Sequence, residues 1–192
     1  MEKKLNPRAA IGFAVLYVIC VFISCFAGFI HPVCWAYFTV LTAILAVGPY
    51  FLLAARWQKF GVGTVLSALV VLFCVLTGEA SGFLSRALIL GFGVVSDISR
   101  VLTGNSSKKA LYVAYPLLAI GNIGWVIRLW TKPEWYAAGA AKEMGEAYAN
   151  GIAALQSPLH LALVVVLTAA IGVLGIWLCN KGMEKSAQLL DN

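Results

Sequence analysis

Six apolar segments follow one another along the chain, separated by short polar or helix-breaking stretches. About 20 consecutive apolar residues suffice to cross roughly 30 Å of hydrocarbon as an α-helix. The pattern therefore predicts an all-α membrane protein, a six-transmembrane-helix bundle that forms a single integral membrane domain over residues 1–192. The predicted spans are 9–30, 34–54, 61–77, 83–102, 111–130 and 159–179.

The connection 131–158, "TKPEWYAAGAAKEMGEAYANGIAALQSP", is longer than the others. Four apolar residues in it recur at helical spacing and share one face: Met144, Tyr148, Ile152 and Leu155. Four polar residues lie opposite: Lys142, Glu143, Glu146 and Asn150. This alternation predicts a short amphipathic helix that lies on the membrane interface or caps a cavity.

Composition agrees with the membrane class. The chain is 61% hydrophobic and 11% charged, with a mean hydropathy of +0.90, whereas soluble domains average about 25% charged residues. The five cysteines form no C-x-x-C pair and have no metal-ligand spacing. Free thiols and a disulfide between Cys25 and Cys34 are both compatible with the sequence. No P-loop and no H-E-x-x-H motif occurs, so we predict no enzymatic activity, no bound metal or cofactor, and no nucleic-acid partner.

Positive charge orients the predicted bundle, since cytoplasmic loops of membrane proteins are rich in Lys and Arg. With both termini on one side, that side carries ten of the fourteen basic residues: Lys3, Lys4, Arg8, Arg56, Lys59, Arg100, Lys108, Lys109, Lys181 and Lys185. The opposite side carries Arg86, Arg128, Lys132 and Lys142. We therefore expect both termini to be cytoplasmic.

Chemistry-bearing side chains gather on the predicted outer face. The two histidines, His31 at the end of span 1 and His160 at the start of span 6, share this face although they are distant in sequence. The other candidates for substrate binding are Trp35, Arg86, Asn122, Trp125, Arg128 and Tyr148. An aromatic belt, snorkelling arginines and helix-end histidines are the structural alternatives. Near the inner face, we expect Asp97 to pair with Arg100.

Three stretches carry a likeness to a known family: "ARWQKFGVGTVLS", "SDISRVLTGNSSKKALYVAYPLLAIGN" and "AIGVLGIWLCNKGMEKSA". With six predicted spans, cytoplasmic termini and an A-x-x-x-A step in span 1, the chain resembles the substrate-binding S components of energy-coupling factor (ECF) transporters. More specifically, it is similar to the Trep_Strep group. Where such proteins have Lys-His-Phe-like residues near the end, this chain has Gly182-Met183.

The resemblance implies a multi-pass protein of the bacterial plasma membrane that captures a trace nutrient at the outer face. It implies association with a transmembrane coupling subunit and two cytoplasmic ATPase subunits, followed by toppling of the S component to release substrate inward. Ala10 and Ala14 match the family's contact with the coupling subunit, and packing within the bundle is the alternative. The loop at His31 and the stretch 131–158 would gate the pocket.

The chemistry of the candidate residues indicates the class of substrate. Two histidines, two arginines and several aromatic rings suit a flat anionic ligand, such as a carboxylated heterocycle or a tetrapyrrole. A sharper version has His31 or His160 ligating the iron of a haem substrate.

Other function classes remain as alternatives. One is a self-contained channel or small secondary transporter, and another is a structural or assembly protein of the membrane. A third is an intramembrane serine protease of the rhomboid type that would pair Ser81 with His160. In that case Glu79 stands where the protease signature has glycine.

Overall fold

The computed structural model describes residues 7–77, 82–105 and 107–190, and all regular structure within these ranges is helical. The helices are α1 (Pro7–Ile30), α2 (Pro32–Ala36), α3 (Phe38–Leu45), α4 (Val47–Arg56), α5 (Val62–Leu76), α6 (Phe83–Thr103), α7 (Lys108–Gly121), α8 (Arg128–Thr131), α9 (Pro133–Met144), α10 (Glu146–Ala153) and α11 (Pro158–Leu190). A 3₁₀ turn, Asn122–Trp125, follows α7. The expected all-helical class is confirmed.

By length and composition, two helices in the described ranges are suited to cross a membrane. They are α1 and the first 27 residues of α11, Pro158–Glu184. The pair α3 and α4, bent by 51° at the break between them, makes a third if it acts as one span. The α6 helix has 21 residues, but three charged residues (Arg86, Asp97 and Arg100) distinguish it from an ordinary apolar span.

Two of the predicted spans are interrupted. The predicted span 34–54 contains part of α2, all of α3 and most of α4, and the predicted span 111–130 ends in the 3₁₀ turn and α8. Pro49 lies in the first turn of α4, where a missing N–H costs no hydrogen bond, and so it is compatible with a new helix starting there. Hydropathy alone does not register such breaks, because the residues around them are apolar.

Small residues set the closest helix contacts. A Cβ on Gly63 of α5 would lie 2.5 Å from the carbonyl oxygen of Gly93 in α6, so only glycine permits this approach. Gly172 and Gly175 of α11 make looser contacts, since a Cβ would lie 3.2 Å from Pro116 and 3.0 Å from Val47. Close approach of this kind is how helices associate in lipid, where burial of apolar surface gives no driving force.

At the predicted inner end, Asp97 caps a helix and does not pair with Arg100, which corrects that expectation. Asp97 is fully buried, and its carboxylate accepts hydrogen bonds from the backbone N–H groups of Gly63 and Thr64, each at 2.8 Å. The Thr64 hydroxyl donates a third bond at 2.7 Å. The first N–H groups of a helix lack intrahelical partners, and a carboxylate also complements the positive end of the α5 dipole.

Arg100 performs the complementary role at the end of α4. Its Nη2 donates to the carbonyl oxygens of Ala54 at 3.1 Å and Trp57 at 2.9 Å, and to that of Asn105 at 3.3 Å. The carbonyls that end a helix carry partial negative charge and need donors. One turn of α6 therefore fixes both the end of α4 and the start of α5.

Candidate substrate-binding site

The stretch 131–158 folds as two helices, α9 and α10, where the sequence predicts one. The break falls at Gly145, whose φ of +88° is a conformation that glycine adopts without strain. It divides the predicted apolar face, because Met144 ends α9 and is exposed, whereas Tyr148 and Ile152 belong to α10 and pack inward. We call α9 and α10 together, residues 133–153, the cap.

The cap has its own small hydrophobic core. Ile152 is fully buried against Ala36 of α2 and Leu129 of α8. Partly buried residues surround these three: Trp35, Tyr37, Trp130, Tyr136, Tyr148 and Leu155. Trp35, Tyr37 and Trp130 also pack against the main core that contains Trp125, so the cap adjoins the part of the bundle where the predicted site lies.

Two side-chain hydrogen bonds latch the cap to the first two helices. The Tyr148 hydroxyl donates to the carbonyl oxygen of Gly28 in α1 at 2.5 Å. That carbonyl would ordinarily accept from residue 32, but Pro32 has no N–H, so tyrosine supplies the missing donor. The indole N–H of Trp35 donates to the hydroxyl of Tyr136 in α9.

Glycine at position 28 makes room for the second latch. A Cβ there would lie 2.2 Å from the Trp35 ring, so a larger residue would displace the indole.

Burial raises the pKa of Tyr148 to about 12, with nearby Cys34 as a smaller cause. The phenol therefore stays protonated at physiological pH and available as a donor.

Removing one latch should loosen the cap without unfolding the bundle. For Tyr148→Phe, we expect backbone amides of residues 146–153 to exchange with deuterium about fivefold faster, since a neutral hydrogen bond contributes about 1 kcal/mol. Amides of α11 should exchange as in the wild type. Tyr112→Phe, which removes a hydroxyl bonded to Asn180 outside the cap, is the matched control. Equal exchange of residues 146–153 in all three proteins would contradict the latch.

The two histidines have local roles in this structure. His31 is exposed and begins α2, and its Nδ1 accepts a hydrogen bond from the Val33 N–H at 3.2 Å. His160 is half-buried in the first turn of α11, with Nδ1 2.8 Å from the Ser157 hydroxyl and its ring edge-on to Tyr37. No group of three or more His, Cys, Asp or Glu in the described ranges is arranged to hold a metal ion. Haem ligation stays a prediction.

Asn122 and Trp125 are brought together in the core. They lie three residues apart in the 3₁₀ turn, where residues i and i+3 are eclipsed, and they are 2% and 5% exposed. The Asn122 amide donates to the Tyr17 hydroxyl at 3.3 Å. The Trp125 ring lies 5.8 Å from that of Phe38 and 6.3 Å from that of Phe73. The indole N–H is buried and has no hydrogen-bond partner among the described residues.

The two arginines lie at the edge of this region. Arg86 is half-buried in the first turn of α6, and its buried Nε lacks a partner in the described part of the chain. The Arg128 guanidinium lies 5.3 Å from the Trp135 ring of the cap. A surface depression of about 470 Å³ adjoins that contact. It is lined by Lys132, Pro133, Glu134 and Trp135 and contains none of the predicted site residues.

Ala10 and Ala14 face the interior of the same chain. They are 8% and 9% exposed and belong to the main hydrophobic core. In the structure both alanines pack within the bundle, which was the alternative to contact with a coupling subunit. That contact stays a prediction. Ser81 and Glu79, on which the protease alternative depends, lie outside the described residues.

The sequence interpretation missed a set of buried hydroxyl groups beside Asn122. The Tyr50 and Tyr115 rings lie 4.9 Å apart, and Tyr115 donates to the carbonyl oxygen of Ala43 at 2.8 Å. The hydroxyl of Thr42 has no hydrogen-bond partner among the described residues. From the sequence, an isolated tyrosine in an apolar segment is not distinguished from a residue of the aromatic belt at the membrane interface. The spacing 10, 14, 17, 21 in α1 was a usable signal, because it places Tyr17 on the same buried face as the two alanines.

Comparison with known proteins identifies a family for this chain. The family model Trep_Strep, described as a hypothetical bacterial integral membrane protein, matches residues 9–187. No curated protein and no solved structure matches.

Proposed function

The chain belongs to the Trep_Strep family of bacterial integral membrane proteins, and from that premise we propose that it is the substrate-binding S component of an ECF-type importer. In this proposal it binds a trace nutrient at the outer face of the plasma membrane. Delivery into the cell then takes place through a transmembrane coupling subunit energised by two cytoplasmic ATPase subunits.

The observation that carries the proposal is the latched cap over an aromatic core. Binding sites for small molecules are enclosed and mostly apolar, with a few placed polar groups. Trp125, Asn122 and Phe38 provide such an environment in the core that the cap adjoins. Each latch is a single hydrogen bond between neutral groups, which water replaces at a cost of about 1 kcal/mol. Besides these bonds, the cap packs through its small apolar cluster, which has fewer buried residues than the main core of the bundle.

The proposal includes six membrane crossings with both termini in the cytoplasm. Besides α1 and α11, the shorter helices expose large apolar side chains, among them Leu76 of α5 at 76%, and Phe83 and Leu102 of α6 at 87% and 80%. Soluble proteins rarely expose apolar faces of this extent to water, whereas membrane helices expose them to lipid. We assign the crossings to α1, α3–α4, α5, α6, α7–α8 and α11.

The buried charges favour an external energy source over a self-contained secondary transporter. Intramembrane ionisable groups of such transporters line the path of the coupling ion. Asp97 and Arg100 instead bind the ends of α5 and α4. With no P-loop in the sequence, ATP-driven transport requires separate ATPase subunits.

The test is affinity purification through a tag on this chain from membranes of its own host in mild detergent. We expect a transmembrane subunit and ABC-type ATPases to co-purify, identified by mass spectrometry. A chain of another membrane protein, tagged and expressed to the same level, controls for carry-over. Isolation of the chain without any ATPase, together with solute flux through the chain alone in liposomes, would establish the alternative class.

A further inference from the structure

We infer that the indole N–H of Trp125 is the hydrogen-bond donor for the substrate, and that the substrate is a planar molecule with an acceptor group and no positive charge. The inference rests on the proposed function, because it names the substrate class of that same site. Of the predicted binding residues, it assigns substrate contact to Trp125 and its neighbours and gives neither histidine a role in binding.

The first argument is the unpaired N–H. The Trp125 side chain is 5% exposed, yet its Nε1 has no hydrogen-bond partner among the described residues. Buried N–H groups in proteins are nearly always paired, since an unpaired one costs about 1–3 kcal/mol. The nearby indole of Trp130, which is only partly buried, does have a partner, the carbonyl oxygen of Leu155 at 3.1 Å. Trp125 thus keeps a donor free in a place where a ligand acceptor would satisfy it.

The second argument is that the 3₁₀ turn holds this donor in a fixed position. A Cβ on Gly124 would lie 2.3 Å from the carbonyl oxygen of Ser85, and one on Gly121 would lie 2.5 Å from the Cβ of Phe92. The turn and the last residue of α7 before it therefore both pack directly on α6. Since residues three apart are eclipsed in a 3₁₀ helix, Asn122 and Trp125 present polar groups on one side of the turn. A donor fixed before the ligand arrives loses little entropy on binding.

The third argument concerns the ligand's shape and charge. The Phe38 and Phe73 rings beside Trp125 offer flat apolar surfaces, which suit a planar ring system. A cation would need an acidic or carbonyl-lined partner in this low-dielectric interior. The acidic side chains that the structure describes are all engaged or exposed elsewhere. Asp97 caps α5, Glu184 pairs with Lys108, and Glu134, Glu143 and Glu146 are exposed on the cap.

Access to the donor requires movement of the cap. Trp125 is 5% exposed, and the main core that contains it is joined to the cap cluster of Ile152, Leu129 and Ala36 through three shared aromatic residues: Trp35, Tyr37 and Trp130. Lifting the cap breaks the Tyr148 and Trp35 latches and exposes this cluster first. The substrate therefore enters from the cap side and meets Trp125 at the floor of the opened site.

The experiment uses the full-length chain in nanodiscs and the ultrafiltered small-molecule fraction of its host's growth medium as the probe. Compounds retained by the wild type, Trp125→Phe and Trp177→Phe are identified by mass spectrometry. Trp177 is 41% exposed on α11 and serves as the matched control. We expect wild type and Trp177→Phe to retain one planar, neutral or anionic compound, and Trp125→Phe to bind it about tenfold more weakly.

A second readout separates ligand recognition from folding. Melting temperatures with and without the retained compound are compared, because Trp125→Phe removes an unpaired buried N–H but also leaves part of the indole volume empty. The compound should raise the melting temperature of the wild type and of Trp177→Phe, and should raise that of Trp125→Phe less. Trp125→His, which retains a ring N–H, should recover part of the binding. Equal retention by Trp125→Phe and wild type, or retention of a positively charged compound, overturns the inference and leaves the proposed function standing. No retained compound in the wild type overturns both.

Discussion

Replacing Asp97 with alanine is expected to lower the free energy of unfolding by about 3–5 kcal/mol, the largest effect of any single substitution considered for this chain. The carboxylate is fully buried and accepts three hydrogen bonds from Gly63 and Thr64. Alanine leaves two backbone N–H groups at the start of α5 without a partner, and hydrogen bonds to a charged group are stronger than those between neutral groups.

The measurement is reversible unfolding in mixed micelles followed by circular dichroism. Ser99→Ala, on the same helix, is the matched control, because among the described residues the Ser99 hydroxyl bonds only to the Ser96 carbonyl one turn back. Its effect should stay below about 1 kcal/mol. Asp97→Asn keeps one acceptor oxygen and should fall between the two. If Asp97→Ala unfolds at the same denaturant concentration as Ser99→Ala, the capping role of Asp97 is wrong.

Gly93→Ala is expected to destabilise the chain by about 2–3 kcal/mol through overpacking between α5 and α6. The added Cβ would lie 2.2 Å from the Ser67 hydroxyl oxygen and 2.8 Å from the Gly63 carbonyl oxygen. The second of these atoms belongs to the backbone, so the helices themselves must separate. A hydroxyl that merely rotated away would not relieve the clash.

Gly91→Ala is the control for this substitution, since a Cβ at Gly91, two residues away on the same helix, meets nothing within 4 Å. Alanine has the higher helix propensity by about 1 kcal/mol, so Gly91→Ala should match or exceed wild-type stability. Thermal unfolding of both variants in detergent distinguishes the two effects. Equal melting temperatures for Gly91→Ala and Gly93→Ala would show that α5 and α6 do not pack as described.

The apolar segments of the sequence predicted the membrane class, and the positions of α1, α5 and α6 follow them closely. These features are local, because a helix of apolar residues needs no distant partner to be recognised. The paired placement of Asn122 and Trp125 was also accessible, since both residues fall near the end of one predicted span.

Contacts between segments that are distant in the chain could not be predicted from the sequence in the same way. Asp97 was expected to bind Arg100 because the two are neighbours on one helix, but the unpaired groups at the ends of α4 and α5 compete more strongly. The Tyr148 latch likewise depends on an α1 carbonyl left open by Pro32, 116 residues earlier in the chain. Periodicity carries no information on such pairings.

The central claim is that this chain binds a substrate but depends on other subunits for energy. Native mass spectrometry of the assembly isolated through a tag on the chain tests it most directly. The proposal predicts one copy of this chain with one transmembrane coupling subunit and two ATPase subunits. An assembly that contains only copies of this chain, and that moves solute across liposomes without ATP, would contradict it.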